Sequence, residues 1–158
     1  KIDTHGGSLR LYIKKNEKTK IEKSVKNILK EEEKFGIKDY KIYQEFAKKV
    51  YKIRDKVRKN IFEIKKNNNN IIGYGSPAKA TTALNFFGIS NEIDFIVEDN
   101  KLKQGKFLPG MKIPIISKEN LKEKPDYLLV LAWNFFDEIK KKNADLAHKF
   151  INIKDLEN

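Results

Sequence analysis

The sequence lacks cysteine altogether and has only two histidines, His5 and His148, among its 158 residues. The absence of cysteine excludes a disulfide framework, thiolate-ligated zinc, iron–sulfur clusters and thiol catalysis. The two histidines are too few and too far apart in the sequence for a histidine metal site, so we predict no metal. Apolar runs of the roughly 18–20 residues that a membrane span needs are missing, as is a signal-peptide pattern. We therefore expect a cytoplasmic protein without membrane contact.

Arginine is scarce as well, because only Arg10, Arg54 and Arg58 occur among 34 basic residues, against 22 acidic ones, for a formal net charge of +12. The excess is local: residues 14–66 hold 19 basic and 9 acidic residues, whereas residues 67–158 hold 13 and 12. A basic segment is compatible with nucleic-acid binding. Base readout and bidentate phosphate contacts favour arginine, however, so we prefer a solvated lysine surface and no nucleic-acid partner.

The first part of the chain is predicted to be helical after one short strand. Residues 8–13 alternate in polarity and are typical of a short strand. Thr19 followed by Glu22 fits a capping box for a first helix, which Gly36 would end. A longer helix with an apolar stripe at steps of three and four residues is expected to begin near Asp39.

After an asparagine run at residues 67–70, short apolar strands alternate with helices. Strands are predicted at residues 71–72, 93–97, 113–116, 127–132 and 150–153, and helices at residues 77–87 and 135–147, with a brief one after Ser117. This alternation predicts an α/β protein with a doubly wound, mostly parallel, Rossmann-like sheet flanked by helices. The expected organisation is a terminal strand at residues 1–13, a helical segment at 14–66 that packs on the α/β unit, and that unit at 67–158, with 14–158 as one domain.

The segment Gly73-Tyr74-Gly75-Ser76-Pro77-Ala78-Lys79 follows a predicted strand and opens a helix, which suits a phosphate-binding turn. Glycines allow a tight turn and close backbone approach, Ser76 is a good N-cap, and Pro77 is a good first helical residue. A cation such as Lys79 is unfavourable in the first turn of a helix unless an anion binds there. Gly73, Gly75, Ser76 and Lys79 are therefore candidate binding residues. A lysine that simply extends into water is the alternative.

Four more candidates follow two other predicted strands. Glu98 and Asn100 follow the second strand of the α/β part, and an acid about 20 residues past the glycines commonly holds a ribose diol. An exposed loop acid is an equally good interpretation of Glu98. Trp133 and Asn134 follow the most apolar strand, and ligands of open α/β sheets bind at the carboxyl ends of strands. The alternative is that Trp133 only closes the core.

Several ordered motifs resemble the C-terminal domain of the SAM-dependent sugar C-methyltransferases. They are the glycine segment at 73–79, Gly88-Ile89, Gln104-Gly105, Leu108-Pro109-Gly110, Ile113-Pro114-Ile115 and Leu131-Ala132-Trp133-Asn134. The opening residues 4–10 are similar to the stretch that closes the preceding methyltransferase domain in that family, so residues 1–13 would be its terminal strand. One position departs from the family: Asp99 stands where a cation is common, which does not favour a phosphate contact there.

The resemblance implies a domain that binds a nucleotide-linked keto-sugar and works beside an upstream SAM-binding domain of the same chain. In the whole protein, SAM and the catalytic acid–base group would both lie in that upstream domain. We therefore expect no catalytic residue and no firmly bound cofactor in these 158 residues, and no activity of the isolated fragment. His5 does not match the catalytic group of the family. Two alternatives from other classes are an NAD(P)-type dinucleotide-binding domain of an oxidoreductase and a basic nucleic-acid-binding module.

Overall fold

The computed structural model describes residues 1–4, 7–15 and 20–157. The chain divides into two compact units, Lys1–Val50 and Tyr51–Asn158. The predicted organisation has segments at 1–13, 14–66 and 67–158, and it assigns the first of them to a preceding domain of a longer protein. This organisation stays a prediction.

The unit Lys1–Val50 contains helix α1 (Lys23–Phe35) and the first part of helix α2 (Tyr40–Lys66). Gly36 ends α1 as predicted: its φ of 82° is left-handed, and its N–H donates to the carbonyl oxygens of Glu32 and Glu33. The side chain of Asp39 accepts the backbone N–H of Lys41 at 2.9 Å. An aspartate at this position satisfies one of the free N–H groups at the start of α2, where the sequence placed the beginning of that helix.

Two local predictions for this unit are corrected by the structure. Among the described residues of 8–13, only Ser8 pairs with another segment, in a single antiparallel bridge to Ile2. A strand needs a neighbour for its backbone hydrogen bonds, and one bridge does not supply it. Helix α1 begins at Lys23, so Glu22 rather than Thr19 precedes its first turn. Thr19 lies outside the described residues, as do the linking residues 16–18 and His5.

The unit Tyr51–Asn158 is built around a sheet in which all the strands of the described residues are parallel. The strands are β1 (Ile71–Tyr74), β2 (Ile96–Val97), β3 (Ile115–Ile116), β4 (Tyr127–Val130) and β5 (Lys149–Asn152). Their order across the sheet is β3-β2-β1-β4-β5. The predicted Rossmann-like α/β fold is confirmed, and the chain reverses its direction of strand addition between β1 and β4.

Helices connect some of these strands, and segments without an α-helix connect the others, the longest being residues 98–114 between β2 and β3. Helix α3 (Ala78–Phe87) joins β1 to β2 and ends at Gly88, and helix α4 (Phe136–Lys142) lies between β4 and β5. One-turn 3-10 helices occupy Lys118–Asn120 and Trp133–Phe135, and a further one covers Ile153–Glu157. The predicted helix at residues 135–147 is shorter because Asn143 turns its side chain onto Ile139 and Tyr74 and ends the helix there.

The core lies on both faces of the sheet because successive side chains of a strand point to opposite sides. Ile71 packs on one face with Val57 and Ile61 of α2 and with the buried side of α3. Ile72 packs on the other face with Leu128 and with residues of α4. Burial on both faces explains why β1 and β4 are almost continuously apolar. It also holds the carboxyl ends of these two strands in place, and candidate residues follow each of those ends.

Candidate functional site

The glycine loop, which we define as residues 73–79, joins β1 to α3, and its two glycines serve different purposes. A Cβ on Gly73 would lie 2.9 Å from Ile96 Cγ1 and 3.0 Å from Leu131 Cδ1, so the neighbouring strands leave no room for a side chain. Gly75 instead needs its backbone conformation, since its φ is +80°. A Cβ on Gly75 would lie 3.4 Å from Ala132 Cβ. The glycine loop therefore lies directly beside the segment that follows β4.

Ser76 binds Glu98 rather than capping the helix. Glu98 Oε2 accepts the backbone N–H of Ser76 at 2.8 Å and the Ser76 hydroxyl at 2.6 Å. Pro77 takes the N-cap position and Ala78 is the first helical residue, one position later than the sequence suggested. The difference arises because the Ser76 hydroxyl donates to a carboxylate, and this charge-assisted hydrogen bond is stronger than one that its oxygen would accept from a helix N–H. The loop after β1 is thus tied to the end of β2.

The carboxylate of Glu98 is buried and ionised. Burial alone would raise the pKa of Glu98, but hydrogen bonds from the Ser76 side chain and from the backbone of Asn100 and Ser76, with the nearby Lys103 ammonium, outweigh it and lower the pKa. Lys103 Nζ lies 3.5 Å from Glu98 Oε2 and donates to the carbonyl oxygen of Ser76 at 2.8 Å. At neutral pH this charged pair holds the glycine loop in one conformation.

Both oxygens of Glu98 are therefore engaged inside the protein. Oε2 binds Ser76, and Oε1 accepts the backbone N–H of Asn100 at 3.0 Å. The Asn100 side chain in turn accepts the N–H of Leu102 at 3.0 Å and stabilises the turn that follows β2. These bonds occupy three of the roughly four lone-pair positions of the carboxylate, so about one is left for the two donors of a ribose diol. Sequence reasoning placed the acid at the correct end of the sheet but could not show this internal use.

Lys79 and Trp133 come together from the segments that follow β1 and β4. Lys79 Nζ lies 4.1 Å from the centre of the Trp133 ring, a cation–π contact. Partial burial lowers the pKa of Lys79, and the positive charge of Lys154, which follows β5, lowers it further. Asn134 is exposed beside Trp133 in the same 3-10 turn. These side chains follow β1 and β4, between which the strand order reverses, and this is the usual ligand position in open α/β sheets.

A second feature at the same edge of the sheet went unnoticed in the sequence. It is a cavity of about 380 Å³, which we call the polar cavity, and it lies beyond the carboxyl ends of β2 and β3 and beside the end of α4. Its lining residues are Glu98, Asp99, Lys101, Gln104, Lys118, Glu119, Lys142 and Asn143. They come from three separate segments, so their grouping has no signature in any one stretch of sequence.

A hydrogen-bonded network forms the floor of the polar cavity. Tyr74 Oη donates to Asp99 Oδ2 at 2.9 Å and accepts from Asn143 Nδ2 at 3.2 Å. Asn143 Oδ1 accepts from Lys118 Nζ at 3.0 Å. Burial and then the hydrogen bond and negative charge of Asp99 raise the pKa of Tyr74 to about 12, so this phenol stays protonated and donates. The departure at Asp99 from the family pattern was the one sequence signal that could have pointed here.

Two further kinds of site concern the part of the chain that the structure describes, namely metal clusters and membrane-spanning helices. No cluster of three or more metal-binding side chains occurs among these residues. Within the same residues, no helix combines the length and the apolar character that crossing a bilayer requires. The eight candidate residues predicted from the sequence lie in β1 and the segment that follows it, or in the segments that follow β2 and β4.

Comparison with known proteins matches residues 3–152 to the C-methyltransferase C-terminal domain family. This range contains both long helices and all five strands described above. A curated relative, the C-methyltransferase NovU of Streptomyces niveus, is 36% identical over 140 residues. The alignment covers 87% of this chain but 33% of NovU, so the chain spans about a third of the length of that relative.

Proposed function

Because the chain belongs to the C-methyltransferase C-terminal domain family, we propose that it is the nucleotide-sugar-binding domain of a SAM-dependent C-methyltransferase. The whole enzyme would methylate a carbon of a nucleotide-linked keto-sugar. Since the chain spans about a third of NovU, we assign SAM binding and proton abstraction to an upstream domain of the same polypeptide. The 158-residue fragment would then bind substrate without catalysing methyl transfer.

The observation that carries this proposal is the position of Lys79. Its ammonium is held in the first turn of α3, at the strand-order reversal, against the ring of Trp133. The helix dipole, the partial burial of Lys79 and the charge of Lys154 all oppose a positive charge at this point. A bound phosphate would relieve all three effects, because it supplies the missing negative charge to Lys79 and to the helix amides. Asn134 is placed to contact a polar group of the same ligand.

The hydrogen bonds that Glu98 accepts from Ser76 and Asn100 support a domain that binds the nucleotide-sugar, and they disfavour a domain that binds SAM. SAM supplies an electrophilic methyl group when bound, and a Rossmann-like site would hold its ribose with an acid after β2. Glu98 is that acid, and its oxygens already accept three hydrogen bonds from Ser76 and Asn100. The residues of this chain therefore do not fit SAM, and no step of methyl transfer is assigned to them. The same argument disfavours an NAD(P)-binding domain.

Replacing Lys79 tests the phosphate contact. We expect Lys79→Ala to weaken binding of a nucleoside diphosphate by roughly 10- to 150-fold, because a hydrogen bond to a charged group contributes about 1.5–3 kcal/mol. The unliganded stability should change by less than about 1 kcal/mol, because the lost cation–π contact is offset by relief from the helix dipole. Calorimetric titration with ADP, GDP, UDP and dTDP, beside denaturant unfolding without ligand, measures both quantities.

Lys124→Ala is the matched control, because Lys124 is exposed and precedes β4 at the opposite edge of the sheet. It removes the same charge and should leave affinity unchanged. Equal nucleotide affinity of Lys79→Ala and the unmodified chain would contradict the phosphate contact. Micromolar binding of SAM to the fragment would contradict the assignment of SAM to another domain.

A further inference from the structure

Two connections of the sheet, β2 to β3 and β3 to β4, lack an α-helix among the described residues, and both contribute residues to the polar cavity. In doubly wound sheets, parallel strands are usually joined by helices that cover a face. Between β3 and β4, the described residues contain only the single 3-10 turn Lys118–Asn120. The polar cavity beside these connections has a volume of about 380 Å³. This volume lies within the range of about 300–1,000 Å³ that is typical of small-molecule sites.

The wall of the polar cavity has balanced charge. Every lining residue is polar: three carry carboxylates, three carry ammonium groups and two carry amides. The carboxylates of Glu98 and Asp99 already accept hydrogen bonds from Ser76 and Tyr74. A mixture of donors and acceptors with no net charge suits a neutral ligand whose groups both donate and accept hydrogen bonds, and hydroxyl groups do both.

The groups that would meet such a ligand are held in place before it arrives. Asn143 is 3% exposed, and its amide is fixed by Tyr74, Ile139 and Lys118. Lys118 Nζ uses one of its three protons on Asn143, which leaves two donors for a ligand. Lys142 Nζ lies 3.6 Å from Asp99 Oδ2 on the same wall. The buried amide of Asn143 is the pre-organised part of this wall, and a fixed group of this kind reduces the ordering cost of binding.

The polar cavity and the glycine loop share Glu98. Its side chain lines the cavity and binds Ser76, which lies three positions before Lys79 in the sequence. We propose that the polar cavity holds the hexose of the nucleotide-linked sugar whose phosphates contact Lys79. This inference rests on the proposed function, because a nucleotide-sugar is what would bring a hexose to this edge of the sheet.

The test compares nucleoside diphosphates with their hexose esters. ADP, GDP, UDP and dTDP are titrated in parallel with ADP-, GDP-, UDP- and dTDP-glucose into the 158-residue chain. The double variant Lys118→Met/Lys142→Met removes two cavity ammonium groups and keeps their apolar length. We expect it to bind the preferred glucose ester about tenfold more weakly, since one or more charge-assisted hydrogen bonds are lost. Its affinity for the matching diphosphate should stay within about twofold of the unmodified chain.

Lys122→Met/Lys141→Met is the matched control, because both lysines are exposed, lie near the replaced positions and do not line the cavity. It makes the same charge change and should alter neither affinity. Asp99→Asn gives a second cavity variant of conserved shape, and it should also weaken the ester selectively. Equal losses for diphosphate and ester, or no loss for the ester, would overturn the hexose site and leave the proposed function intact. Absence of binding by all eight ligands to the unmodified chain would overturn both.

Discussion

The glycine loop and the polar cavity lie at the same edge of the sheet, but the first consists of backbone and buried groups and the second mostly of exposed side chains. The glycine loop depends on backbone and buried groups: Gly73 has no room for a side chain, and Ser76 and Glu98 are 7% and 9% exposed. The polar cavity is lined mostly by long exposed side chains that rest on two buried residues, Tyr74 and Asn143. The glycine loop is therefore part of the folded core, whereas the cavity wall can vary without unfolding the protein.

Two adjacent acids show this difference most clearly. Glu98 faces the glycine loop, where it binds both the backbone and the hydroxyl of Ser76. Asp99 faces the cavity, where it accepts from Tyr74 and remains exposed. Glu98 therefore contacts both the glycine loop and the polar cavity, whereas Asp99 contacts the polar cavity. Substitutions of Glu98 and of Asp99 should therefore lower the free energy of unfolding by different amounts.

The largest effect is expected at Gly73. We predict that Gly73→Ala destabilises the fold by about 2–3 kcal/mol, because the new methyl group meets Ile96 and Leu131 in an overpacked site. Denaturant unfolding measures the loss. In the Ile96→Ala background the same change should cost less, because the nearest atom, Ile96 Cγ1, is gone. An equal cost in both backgrounds would show that the contact with Ile96 does not limit this position.

A smaller loss is expected at the carboxylate. We predict that Glu98→Gln lowers the free energy of unfolding by about 2 kcal/mol, because an amide cannot accept from both Ser76 and Asn100 with its single oxygen. Asp99→Asn is the comparison: its amide oxygen can still accept from Tyr74, so the cost should stay near about 0.5–1 kcal/mol. Similar losses of unfolding free energy for the two variants would contradict the view that the glycine loop contributes more to stability than the cavity wall does.

The pH dependence of the unfolding free energy of Glu98→Gln separates the effect of the charge of Glu98 from the effect of its shape. The pKa of Glu98 is lower in the folded protein than its ordinary value of 4.5, so its ionised form adds stability that is present above this pH. That contribution is lost as the pH falls through the lower, folded value. The stability difference between the unmodified chain and Glu98→Gln should therefore narrow below about pH 4.5. A difference that stays constant down to pH 3 would indicate that only the shape of Glu98 matters.

An effect smaller than that of Glu98→Gln is expected on the cavity side, at Tyr74. We predict that Tyr74→Phe costs about 1 kcal/mol, the usual contribution of one hydrogen bond. The ultraviolet absorbance titration of the unmodified chain minus that of Tyr74→Phe should show one phenol that ionises near pH 12. Since this pKa is raised by folding, the associated stability is present below the ordinary value of 10 and is lost as the pH rises toward 12. Ionisation near pH 10 would mean that the burial of Tyr74 and its contact with Asp99 are both absent in solution.

Local patterns were enough to predict most of the fold. The positions of α2, α3 and the five strands follow from apolar spacing and from the residues that end helices, such as Gly36 and Gly88. These signals act within one or two turns of chain, so no distant contact is needed to interpret them. Predictions were least accurate where a distant residue competes with the local pattern. Helix α4 ends at Asn143 because its side chain binds Tyr74, 69 positions away in the sequence.

The candidate site also has a part that could be predicted from the sequence and a part that could not. Gly73, Gly75, Lys79 and Trp133 could be placed at the carboxyl edge from the sequence, since each lies in a strand end or in the segment after it. Their ligand contacts remain predictions. The polar cavity could not be found in this way, because Asp99, Lys118 and Asn143 belong to segments that only the sheet brings together.

The sequence by itself therefore determined the class of fold, the order of its elements, the glycine turn and the family. These properties depend on short-range spacing of apolar residues and glycines, which a linear sequence displays directly. Only the tertiary structure decided that Glu98 binds Ser76, that Lys79 lies on Trp133, and that the polar cavity lies beside two connections that lack an α-helix among the described residues. Each of these depends on which strands become neighbours, and parallel pairing joins segments that lie far apart in the chain.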